Sequence, residues 1–160
     1  MAQTARAAAQ RSGFGQRLFD ELAALPSSSR LTRGQLEAIY ALAYAQVMQG
    51  QYAQALPVFG LLAIYGPTQK HYIAGLALCL QKCGRHEDAI NTYSMLLTLF
   101  PGSPQPALQV AECLLLLGRF DEARAELGRA LRCIAEAGGA FDDCKPRAQM
   151  LLARLGQVTQ

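Results

Sequence analysis

One spacing constrains this chain more than anything else in it. Gly50-Gln51-Tyr52-Ala53-Gln54-Ala55 is followed by Gly84-Arg85-His86-Glu87-Asp88-Ala89, and then by Gly118-Arg119-Phe120-Asp121-Glu122-Ala123. The glycines are 34 residues apart (84 − 50 and 118 − 84), and the alanines at 55, 89 and 123 keep step. Four residues after each alanine stands a large apolar side chain: Phe59, Tyr93, Leu127. Pro67 and Pro101 share the same interval. A chain punctuated identically at a fixed interval folds as one small unit stacked on its own copies. The abundance of Ala and Leu, with few β-branched residues, makes that unit helical.

The interval, with its Ala-x3-Phe and closing proline, resembles the tetratricopeptide repeat. The expected fold is all-α: three helix-turn-helix repeats in a right-handed superhelix, with an N-terminal helix and a C-terminal capping helix. With Leu36 as the first position, the repeats span residues 36–69, 70–103 and 104–137. A leader and N-terminal helix (1–31) precede the repeat region (32–137), and a capping helix and tail (138–160) follow it. Thr32-Arg33-Gly34-Gln35 has the form of a capping box, which starts the first long helix near Thr32. Ser103 is placed to cap and Pro104 to occupy a first helical position. Pro57 falls about one turn inside a helix, where it removes a hydrogen bond. Gly138-Gly139 breaks the last repeat helix, and residues 146–155 carry an apolar set of Met150, Leu151, Leu152 and Leu155.

Several function classes drop out early. No apolar run approaches the roughly 20 residues of a membrane span, and residues 1–16 contain no apolar secretory core. The five cysteines make a disulfide framework a poor reading. Cys79 and Cys113 fill the same repeat slot, as small packing residues do. Cys79 and Cys83 have no second ligand pair at metal-binding spacing, so no metal or cofactor is expected. The net charge of +3 is concentrated at the front, where Arg6, Arg11, Arg17, Arg30 and Arg33 face only Asp20 and Glu21. The repeats themselves are balanced and offer no basic stripe for nucleic acid.

The phase of the repeat separates packing residues from surface residues. Small side chains at Ala43, Ala77, Ala111, Ala55, Ala89 and Ala123 let paired helices approach, and Leu42, Phe59, Leu76 and Tyr93 fill the remaining space. In a tetratricopeptide array the first helix of each pair lines a concave groove. The residues so placed include Tyr40, Tyr44, Val47, His71, Leu78, Leu108, Glu112 and Leu115. Apolar lining with a few polar groups suits a bound peptide, and solenoids present such concave surfaces. A carboxylate clamp would need Lys, Arg and Asn here, where Tyr40 and Tyr44 stand instead. His86 occupies the slot of Tyr52 and Phe120 and is expected to be structural. His71 has no nucleophile placed beside it, so catalysis is not expected.

The segments Leu36-Glu-Ala-Ile-Tyr40-Ala-Leu-Ala-Tyr44, Gly50-Gln-Tyr52 through Ala55 and Phe59, Gly84-Arg85 through Tyr93, and Ala111-Glu-Cys-Leu-Leu115 together resemble the class II chaperones of type III secretion translocators. The resemblance covers about residues 31–135. It implies a bacterial cytosolic chaperone, not an enzyme, that holds hydrophobic pore-forming translocator subunits by a short extended segment in the groove. On that pattern Tyr40, Tyr44 and Val47 form pockets, with Leu61, Tyr65, His71, Leu76 and Leu78 further along. The helix carrying Phe14, Leu18, Leu22 and Leu25 would match a dimerisation segment, and some members also engage a transcriptional regulator. Read from its residues alone, that helix either caps the array or docks on another subunit. The chain departs from the family in its basic pI of about 8.7. The competing reading is a general tetratricopeptide scaffold between two soluble proteins.

Overall fold

The computed structural model describes residues 13–158; the leader expected over residues 1–12 lies outside them. The fold is all-α, with eight α-helices among the described residues: α1 (Gly13–Ala23), α2 (Arg33–Met48), α3 (Tyr52–Tyr65), α4 (Lys70–Lys82), α5 (His86–Leu99), α6 (Pro104–Leu116), α7 (Phe120–Glu136) and α8 (Lys145–Val158). Two compact units divide at Pro101 and Gly102, the first carrying α1–α5 and the second α6–α8.

The first unit starts its repeats with the expected capping box. The Thr32 hydroxyl accepts from the Gln35 backbone N–H at 3.3 Å, and the Thr32 N–H donates to Gln35 Oε1 at 2.9 Å. Two of the four donors that a helix N-terminus leaves unsatisfied are answered in this way. From there each helix packs on the next in sequence, and α2 also touches α4. Leu36, Ala43, Ala55, Phe59, Leu62, Tyr72 and Cys79 form the core between them. Pro57 lies inside α3, which runs unbroken through it with the ring on the exposed side.

The repeated glycine ends the first helix of every pair in the same way. Gly50, Gly84 and Gly118 take φ of 73°, 77° and 73°. The N–H of each glycine donates to the carbonyl three residues back, and the following N–H donates five residues back: Gln51 to Gln46, Arg85 to Leu80, Arg119 to Leu114, each at 2.9 Å. This is the Schellman arrangement, which needs a left-handed residue that only glycine adopts at little cost. Nothing lies within 4 Å of a Cβ built on Gly84, so substitution there tests backbone strain alone. Gly84→Ala is expected to lose about 1–2 kcal/mol, read from the urea midpoint. An unchanged midpoint would remove the turn from the list of features that hold the hairpin.

Two expectations about this unit need correction. Leu42 does not fill a packing gap; it is 57% exposed. On α1, Phe14 and Leu25 are exposed while Leu18 and Leu22 are half-buried. The helix lies against α5 of the same chain, with Phe19 edge-on to Phe100 at 6.1 Å and Gly15 buried. The stripe chosen from periodicity therefore straddles the contact, and Phe19, which it omitted, makes the ring contact.

In the second unit α6 and α7 pair closely, with Ala111, Ala123, Leu127 and Ala130 fully buried. Pro104 sits at the first turn of α6 as expected, but the Ser103 side chain makes no capping bond. Gly138 and Gly139, both at positive φ, follow α7 and release the chain into α8. Helix α8 packs on α6 and α7. Of its expected apolar set, Leu151 and Leu155 are buried, but Met150 and Leu152 point outward and Ala148 takes the remaining buried place. Arg147 Nη2 ties α8 to α6 through Glu112 Oε2 at 2.5 Å and Gln109 Oε1 at 2.9 Å.

Candidate peptide-binding face

The first unit gathers aromatic rings along α2 and α4. Tyr40 and Tyr44 are one helical turn apart, so they project from the same side of α2. Tyr40 is the hub: its ring centroid lies 6.0 Å from Tyr44, 6.1 Å from Phe59, 4.8 Å from His71 and 5.6 Å from Tyr72. His71 meets Tyr72 at 4.3 Å. The cluster grades outward. Phe59 and Tyr72 are buried, Tyr40 is half-buried, and Tyr44 is 50% exposed. Buried members fix the outer rings in place, so an arriving side chain would meet a preformed apolar surface.

One polar edge borders this surface. Glu37, held by Arg33 at 2.8 Å, acts electrostatically on His71. The rim of His71 is in water while its ring lies on two tyrosines. That partial desolvation lowers its pKa below 6.5, and Glu37 opposes the shift. A base with a lowered folded pKa stabilises the fold only while neutral. Its contribution is complete above pH 6.5 and lost as pH falls through the folded value. A small decline in urea midpoint below pH 6.5 is therefore expected, and it should vanish in His71→Gln. An identical slope in that variant would assign the effect elsewhere.

The other expected groove residues divide into three groups. Val47, Tyr65 and Leu76 are half-buried and pack against the core of the first unit. Leu78 is half-buried, and Leu61 is 41% exposed on α3. Leu108 and Leu115, in the second unit, are corrected: at 1% and 7% exposure they are packing residues and offer a ligand no surface. Glu112 is likewise committed to Arg147. Sequence reasoning missed Tyr72 as a support for the face. Its repeat slot reads as packing, and only its contacts with Tyr40 and His71 reveal the second role.

No group of three or more metal-ligating side chains is present among the described residues. Burial pushes the Cys79 and Cys113 thiols up to about 11, so both remain protonated at neutral pH and behave as packing groups. No described helix is long and apolar enough to cross a membrane.

Family models described as tetratricopeptide repeat match residues 36–68 and 80–155, and the helix pairs above make the chain a tetratricopeptide-repeat protein. Low calcium response locus protein H of Yersinia pseudotuberculosis is 32% identical over 125 residues, 78% of this chain and 70% of the relative. PcrH, solved in complex with the chaperone-binding region of PopD, superposes with a TM-score of 0.75 at 28% identity, covering 82% of this chain and 98% of PcrH. The Yersinia enterocolitica type III secretion chaperone SycD, solved with a peptide of the translocator YopD, gives 0.74 at 28%, covering 82% and 100%. The chain belongs to this family, the class II chaperones of type III secretion translocators.

Proposed function

We propose that this chain is a cytoplasmic chaperone that holds a hydrophobic type III secretion translocator by an extended segment laid along the aromatic face of α2 and α4. Residues 32–137 act as the three repeats, flanked by 1–31 and 138–160. Tyr40, Tyr44 and His71 make the principal contacts, with Val47 and Leu78 at the margins and Leu61 further out. The supporting observation is the graded ring cluster, whose outermost member is half in water with no structural need to be aromatic. Kinship with PcrH and SycD, both solved with translocator segments, favours this reading over a general scaffold.

The chemistry required is masking, not catalysis. A translocator exposes apolar segments that aggregate or insert into membranes when free. Covering a few of them with spaced anchors gives an affinity that export can still reverse, because ordering costs offset much of the burial gain. Co-expression with the translocator of its own secretion system tests the idea. The translocator should be insoluble alone and soluble beside this chain. A partner that stays soluble without the chain would favour the scaffold reading instead.

A further inference from the structure

Glu37 places a negative charge at the edge of an otherwise uncharged aromatic face. It precedes Tyr40 by three residues and Tyr44 by seven, so the three side chains line one side of α2. From Ala38 to Met48 the helix carries no charge, and the two lysines of α4, Lys70 and Lys82, are exposed at its ends. The field of the carboxylate crosses to α4. Burial raises the pKa of the Tyr72 hydroxyl, Glu37 adds to the rise and Arg33 opposes it; Glu37 is also the charge that acts on His71.

The ordinary role for such a residue is half of a helix-stabilising pair, here with Arg33. Three observations argue against it. The two side chains are 93% and 59% exposed, and pairs so exposed contribute little. Arg33 precedes Glu37, which is the weaker order for charges one turn apart. Arg33 is also the first residue of α2, where a cation opposes the helix dipole. The pair is therefore cheap to exchange, and the anion it holds stands beside rings whose faces attract cations.

We propose that Glu37 is a specificity-determining residue of this face, selecting a lysine or arginine in the bound segment. The inference rests on the chaperone reading above and names what the segment must carry. The basic side chain lays its stem along Tyr40, as long charged side chains cover apolar surface, and sets its head on the Glu37 carboxylate in place of Arg33. About 10 Å of α2 separates Glu37 from Tyr44. An extended chain covers that distance in about three residues, so the basic residue stands about three positions from the apolar anchor seated on Tyr44. Apolar anchors alone fit many hydrophobic segments. The ion pair adds register and rejects a segment with an acid at that place.

Overlapping synthetic peptides covering the translocator of its own secretion system, titrated calorimetrically into the full chain, test the proposal. The tightest-binding peptide is expected to contain a lysine or arginine whose change to glutamine weakens it about tenfold. Glu37→Gln should lose the same amount with an unchanged melting temperature, and should lose nothing further with the changed peptide. Arg33→Ala, which frees the carboxylate, should tighten binding. Glu37→Lys should prefer a peptide with glutamate at that position over the original. Wild-type affinity in Glu37→Gln, or a tightest peptide without a basic residue, overturns the proposal; if Tyr44→Glu still abolishes binding, the chaperone reading stands without it. Weaker binding in Arg33→Ala also overturns it, because the helix pair itself would then be what matters. If no peptide binds, both readings fall. The peptide substitutions are read on the wild-type chain, so they decide the question even where a variant fails to fold.

Discussion

Gly75→Val should be among the most destabilising single changes in the first unit. A Cβ at this position would overlap the ring of Phe59. The ring cannot swing aside, because Phe59 is only 2% exposed and is itself wedged in the core with Ala55, Leu62 and Tyr72. Overpacking a tight core costs about 1–3 kcal/mol and sometimes more, and a branched side chain on a helix facing a trapped ring lies at the upper end. Removing the ring should be as damaging, since Phe→Ala in a core costs about 3–5 kcal/mol. The two changes are coupled: Phe59→Ala creates the space that the larger side chain lacks. The double variant should therefore be clearly more stable than the sum of the two losses, as contacting residues generally are in such cycles. Strict additivity in urea titrations would show that the ring and the glycine do not form one packing unit.

Tyr44→Glu should have the largest effect on ligand binding without an equal effect on folding. The Tyr44 ring is half in water and touches the cluster only through Tyr40. The fold therefore loses little, while a bound segment loses an aromatic anchor and meets a charge. Forfeiting one anchor is worth about 1.5–3 kcal/mol, on the order of tenfold to hundredfold in Kd. Titration calorimetry with a peptide spanning the translocator's chaperone-binding region would measure it. Tyr40→Ala should weaken binding further but also lower the melting temperature, because this ring meets Phe59 and Tyr72. Leu108→Ala provides the contrast. Its side chain is buried, so stability should fall by about 2–5 kcal/mol with the peptide affinity unchanged in the folded protein. Wild-type affinity in Tyr44→Glu would remove α2 from the binding face.

The hairpin turns and most of the core were legible in the sequence because they depend on local chemistry. A left-handed glycine, a Thr-x-x-Gln box and a proline at a first turn each declare themselves within a few residues. The pairing of Tyr40 with Tyr44 was legible for the same reason, since both lie on one helix. The failures share a different cause. Repeat phase assigns a slot, but a slot is buried only if a neighbour is there to bury it. Leu42 occupies the slot of Leu76, yet it stands on the first helix of the array and stays in water. Leu108 and Leu115 are the reverse case: slots that face a groove in the generic repeat are closed over in this chain. Met150 and Leu152 look apolar by periodicity, but on a helix outside the repeat the phase is set by Ala148, Leu151 and Leu155. Periodicity also ranks side chains by size, so it passed over Gly15, whose burial lets α1 approach.

The glycine turns also bear on how the chain reaches its fold. Each turn closes a hairpin between helices adjacent in sequence, so the strongest packing partners are never far apart along the backbone. Contacts of that kind have little loop-closure entropy to overcome, and chains rich in them fold in microseconds to milliseconds. The α2–α3 hairpin can form as soon as its last residue leaves the ribosome, while the rest of the chain is still being made. A protein built this way can be ready soon after its own synthesis, which suits one whose proposed client aggregates if kept waiting.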